Sequence, residues 1–284
     1  MKYPDINDMD AMTPRSKYYG FTSPETCDLF GFQMSEMPKV MNRRWYQIEH
    51  VLEWQTVADS FTWIRDKKKT GKVFENPKEG TTDKVDFCVY WKGTWTGANP
   101  KAFSIDQSAP QTVEQHLSEA YPSLQHTPHE FVWLEATINS PMWAYKAADE
   151  DSGIFSTKSK RLEIEGGPRR RKNIDTTKES YVDLKNLLGA RKYMRNPDIA
   201  KILKKQDAWV SQGMGALWKE YMDERFRIAH ARTEKDMDTY IKMLRNAWSR
   251  GPTTDPAQKA FAQQIGKLNS EWMKEKRNPW RKPW

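Results

Sequence analysis

Large apolar residues in the C-terminal third recur at helical spacing. Ile199, Ile202, Leu203, Trp209, Val210, Met214, Leu217, Trp218, Tyr221, Met222 and Phe226 fall singly or as adjacent pairs, many of them three or four positions apart. At 100° per residue these positions share one stripe. A second stripe runs through Met237, Tyr240, Ile241, Leu244 and Trp248, and a third through Phe261, Ile265, Leu268 and Trp272. Stripes of this width must be buried against other helices, so the spacing predicts a helical bundle over 179–284. The punctuation agrees. Asn196-Pro197-Asp198 marks a break, Thr233 followed by Asp236 approximates a capping box, and Gly251-Pro252 is a stop. Asp255-Pro256 then gives the order of cap followed by proline.

The rest of the chain is less regular. Residues 1–41 read as an irregular arm, although Tyr18, Tyr19, Phe21, Phe30 and Phe32 imply that it packs. Tyr46, His50, Trp54, Val57, Phe61 and Ile64 fit one helix, while Val85 to Trp95, rich in β-branched and aromatic residues, fits a strand or hairpin. "PHEFVWLEATI" returns to helical spacing and ends near Pro141. Residues 42–148 are thus expected to form an α-rich subdomain with a small β element. Polar, glycine-containing residues 149–178 are expected to be a basic linker or mobile loop. The expected fold class is mainly α.

Charge is concentrated. Of the net +8, the span Ser156 to Lys205 supplies 15 Lys/Arg against 6 Asp/Glu. Such a segment suits nucleic acid or an acidic surface, and equally a solvated connector, because "GGPRRRKN" has no interleaved rings for base stacking. Two cysteines in 284 residues give no zinc or redox pair. No apolar run approaches a bilayer span, and no leader-like stretch opens the sequence, so an intracellular chain is expected if the start is complete.

Candidate chemistry centres on Glu49, His50 and Glu53. A histidine flanked by acids suits a general acid/base pair in a nuclease, with Arg169, Arg170, Arg171 and Lys172 holding phosphates. The same pattern suits a core histidine whose ring nitrogens are satisfied internally, and no second motif supplies the partners that catalysis needs. His126, His129 and Glu130 lack the His-Glu-x-x-His spacing, and His116 and His230 stand alone and are expected at the surface. No nucleotide, dinucleotide or serine-hydrolase motif occurs, so neither cofactor nor metal is expected. Trp143, Tyr145, Trp280 and Trp284 are candidate contact rings, and packing residues on the opposite reading.

Four stretches, "YPDINDMDAMTPRSKYYG", "IEHVLEWQTVADSFTWI", "EFVWLEATIN" and "YMRNPDIAKILKKQDAWVSQGMGALW", resemble in this order the region that follows the barrel in fungal class V chitinase-like and killer-toxin-α-like proteins. The resemblance implies a companion module without the barrel. Asp5, Asp8 and Asp10 echo the D-x-x-D-x-D of the chitinase barrel, but Met12 stands where that motif needs its acid. The resemblance also implies export of a longer precursor, against the intracellular reading. Together these features lead us to expect a non-enzymatic module that binds protein or polysaccharide. Gln55 would belong to its site with Glu49, His50 and Glu53. The rivals are a toxin-like nuclease and a nucleic-acid-binding protein.

Overall fold

The structure is a computed structural model. It describes residues 4–12, 16–36, 45–51, 54–68, 71, 74–76, 78, 80–94, 124–125, 127–143, 174–209, 215–248 and 254–278, and every structural statement concerns these. Helices dominate, and they surround one four-stranded mixed sheet.

The N-terminal segment expected to be irregular supplies a helix and half of that sheet. Helix α1 (Ile6–Ala11) starts at a capping box, in which Asp5 and Asp8 exchange side chain and backbone bonds. This reciprocal cap is the structural role of the first two aspartates of the D-x-x-D-x-D stretch. Strand β1 (Lys17–Phe21) then pairs antiparallel with β2 (Phe32–Glu36). β3 (Tyr46–His50) and β6 (Phe131–Glu135) complete the order β2-β1-β6-β3, with β1 and β6 parallel and β6 and β3 antiparallel. Gly20 is required at its place in β1, since a Cβ there would sit 2.8 Å from Glu135 Oε2.

Three expected elements between the arm and the long helices are corrected. The single helix expected over Tyr46 to Ile64 is β3 followed by α2 (Trp54–Lys68). Tyr46 and His50 are four apart, a helical step that is also twice the strand period of two, so the spacing fits both. The strand expected at Val85–Trp95 is mostly α3 (Phe87–Thr94), with only Lys84–Val85 (β5) pairing with Phe74–Glu75 (β4). Asp86 accepts from Val89 N at 3.0 Å, a cap that starts the helix. The helix expected through Phe131 and Leu134 is β6, all five of whose side chains are buried, and helix α4 (Ala136–Trp143) begins only after it. A fully buried strand reads as a continuous apolar run and has no period of its own.

Four longer helices follow: α5 (Ile174–Met194), α6 (Pro197–Trp209), α7 (Gly215–Trp248) and α8 (Pro256–Arg277). The helix expected to start at Thr233 does not exist as a separate element. α7 runs through that position with Thr233 buried, and at 1.5 Å per residue its 34 residues extend roughly 50 Å. Asn196 accepts from Asp198 N at 2.8 Å where α6 starts, and Asp255 accepts from Ala257 N at 2.8 Å with Pro256 opening α8. Of the expected linker, 149–173 lies outside the described residues, and α5 begins at Ile174.

Each sheet face has its own core. Tyr19, Phe21, Val132 and Leu134 join Ile138 of α4 and Leu184 and Leu188 of α5, and this cluster continues through Met222, Leu244 and Trp272 into α7 and α8. Tyr18, Tyr46, Phe131 and Trp133 form the other, closed by Met9 of α1. Helix α7 packs against α2, α5, α6 and α8. No helix among the described residues is long and apolar enough to cross a membrane.

Candidate functional site

The residues singled out by sequence divide in two. Glu49 is 4% exposed and lies between β3 and α4, where Asn139 Nδ2 donates to its Oε2 at 3.1 Å and to Gln47 Oε1 at 3.1 Å. Its carboxylate is built into the seam between sheet and helix. His50 pairs with Phe131 through the backbone of β3, and Gln55 lies in the first turn of α2. Their side chains lie outside the described part of the structure, as do Glu53, Tyr145, Arg169, Arg170, Arg171, Lys172, Trp280 and Trp284. Trp143 is the last residue of α4, and its side chain is likewise not described. His129 is exposed and Glu130 is buried, while His126 lies outside the described residues. Among the described residues no group of three His, Cys, Asp or Glu side chains is arranged to hold a metal.

The four stretches that carry the resemblance meet in space. Gln47 and Glu49 from the second touch Asn139 from the third, and β1 from the first pairs with β6 from the third. Lys17 reaches Asp198 of the fourth at 2.6 Å, and Tyr19 packs edge-on against Tyr193 at 5.3 Å. In this chain the four stretches thus contribute to sheet and helix packing.

A different place has the shape of a site. An open groove of about 1210 Å³ runs between the β1–β2 connection, the C-terminal end of α5 and one face of α8. Asp28 to Phe32 form one wall, Lys192 comes from α5 and Arg195 from the turn directly after it, and Gln263, Gly266, Lys267, Ser270, Glu271 and Lys274 come from α8. Leu29 is 47% exposed, whereas Phe30 is buried and Phe32 half-buried.

Its charges are organised. Lys267 bonds Asp28 at 2.5 Å and holds that carboxyl below the usual range, and Lys274 bonds Glu271 at 2.6 Å. Arg195 pairs with Glu275 of α8. Lys192 donates to the Phe30 carbonyl at 2.8 Å with Glu271 at 3.9 Å, and burial pushes its ammonium down from its ordinary value.

Behind the groove lies a network that joins three helices. Arg191, its side chain 1% exposed, places Nη1 2.7 Å from His230 Nδ1 of α7 and Nε 3.7 Å from Glu275, with the Trp272 ring beneath at 5.2 Å. Guanidinium only donates, so His230 Nδ1 is the acceptor, and its Nε2 proton faces Glu234 Oε1 at 3.3 Å. His230, read from sequence as an isolated surface residue, is thus half-buried and engaged.

The sequence does carry a trace of the groove. Gln263, Lys267, Ser270 and Lys274 recur at steps of four, three and four beside the apolar stripe of α8, and such a stripe ordinarily marks a solvated face. Nothing local shows that residues 28–32 fold against it. Compared with known proteins, the chain matches no family model, no curated protein and no solved structure.

Proposed function

We propose that this chain is a non-catalytic interaction module that holds a polypeptide partner in the groove between the β1–β2 connection and α8. The observation that carries the reading is the groove itself: wide, open, lined by paired charges, and with an exposed leucine at its wall. Helices α5, α7 and α8 serve it as a bundle-like frame, cross-linked by the Arg191, His230 and Glu275 network. A protein partner is favoured over a polysaccharide because sugars stack on open ring faces. Phe30 is buried and Phe32 half-buried, so neither wall residue offers a fully open ring face.

The test selects from phage-displayed random peptides on the full chain, with chitin beads and RNA and DNA incubations alongside, with and without divalent metal. Peptides are expected to be enriched, chitin is expected not to retain the protein, and nucleic acid is expected to survive. Retention on chitin moves the reading to polysaccharide. Cleavage abolished by His50→Ala in a folded protein replaces it with the nuclease.

A further inference from the structure

We infer that the groove takes an acidic segment of polypeptide, one of whose carboxylates is received by Lys192; this rests on the interaction-module reading above. Among the described residues of the groove, three cations have a close carboxylate and Lys192 has only a distant, shared one. Asp28 answers Lys267, Glu271 answers Lys274, and Glu275 answers Arg195. Lys192 is left with a neutral carbonyl at 2.8 Å and a shared carboxylate at 3.9 Å, the latter beyond hydrogen-bond reach. An ammonium has three donors, and the Phe30 carbonyl takes one. With its side chain 17% exposed, this cation has lost much of its water. Among the described residues its nearest carboxylate is this distant one of Glu271, which Lys274 holds at 2.6 Å, and a carboxylate from a ligand supplies an anion within hydrogen-bond reach.

The rim favours the same class. Lys267 and Lys274 are largely exposed and their carboxylate partners partly so, and ion pairs open to solvent are worth about 0–1 kcal/mol, so both lysines exchange a carboxylate of the chain for one from a ligand at little cost. A polypeptide suits the mixed signs better than a nucleic acid. Asp28 and Glu271 lie among the cations, where a continuous phosphate chain must pass them, whereas a peptide places acids at the lysines and an apolar residue over Leu29. The α8 wall from Gln263 to Lys274 rises roughly 16 Å at 1.5 Å per residue. An extended segment of about five residues covers that length.

The experiment sequences the peptides selected on the full chain and measures a labelled winner by fluorescence anisotropy. Asp and Glu are expected to be enriched. Lys192→Gln is expected to weaken the winner about tenfold, the scale of one lost charge-assisted bond. Lys267→Ser with Lys274→Ser is expected to weaken it about threefold and flatten its salt dependence. Gly266→Leu separates binding from folding: a Cβ at this helical position meets nothing within 4 Å, so the variant keeps its unfolding midpoint while filling the groove and abolishing binding. Winners without acid enrichment, unchanged binding by Lys192→Gln, or displacement of the winner by short duplex DNA each overturn the inference. Neutral or basic winners that Gly266→Leu still blocks leave the module reading standing and remove only the acidic class. Selection of no peptide removes both.

Discussion

Asn139, in the first turn of α4, donates to Glu49 of β3 at 3.1 Å, so one side-chain amide ties the covering helix to the strand at one end of the sheet order. Removing the amide leaves a buried carboxylate short of a donor. Asn139→Leu is expected to lower stability by about 1–3 kcal/mol, read from the urea midpoint. Adding Glu49→Gln recovers part of that loss, because the charge is no longer there to be satisfied. A double variant no better than the single would show that the pair is uncoupled.

Glu135 is buried at the end of β6, where it accepts from Phe21 N at 2.7 Å and Thr137 Oγ1 at 2.6 Å. Burial outweighs these bonds and raises its carboxyl above the ordinary 4.5. Between the unfolded and folded ionisations the native chain therefore binds more protons, so stability falls as pH rises through that window and is level above it. Glu135→Gln removes this contribution. Its unfolding free energy minus that of wild type is expected to increase with pH from about 4 upward, and parallel curves would refute the assignment.

Gly189 lies in α5 where a Cβ would come 2.7 Å from Ile138 Cδ1 and 3.0 Å from the Phe21 ring. Alanine gains about 1 kcal/mol of helix propensity but overpacks two buried neighbours, a cost of about 1–3 kcal/mol. Gly189→Ala is therefore expected to lower the thermal midpoint. Ile138→Val removes the atom in closest approach, and the double variant is expected to be more stable than the sum of the singles.

His230 ionises below its ordinary 6.5, first because it is partly buried and then because Arg191 stands against Nδ1. Glu234 opposes this from the same helix, while Lys276 of α8 reinforces it. The unfolded chain binds the proton more readily, so the stability that depends on neutral His230 is complete above 6.5 and is lost as pH falls through the window below it. His230→Asn keeps an acceptor for Arg191 and does not titrate. Its thermal midpoint is expected to drop less than that of wild type between about pH 7 and about pH 5.

What the sequence made legible was whatever a short range decides. The breaks at Asn196 and Asp255 and the apolar stripes of α7 and α8 each depend on neighbours within a few positions. The sheet was hidden for the opposite reason. Val132 and Leu134 are buried by partners far away in sequence, so β6 shows no alternation. Glu49 drew attention as a candidate acid, and it is indeed placed with care, though by Asn139 and within the core. The groove was out of reach because Asp28 and Lys267 are 239 positions apart and only the fold introduces them.

Strand β1 finds β2 almost at once, but its parallel neighbour β6 comes much later: the bond from Phe21 N to Glu135 spans 114 positions. A ribosome adding about 5–20 residues per second leaves the nascent hairpin waiting roughly 6–20 s with rows of tyrosine and phenylalanine uncovered. Synthesis of this chain thus includes an interval in which this aromatic pair of strands is complete and its cover has not been made.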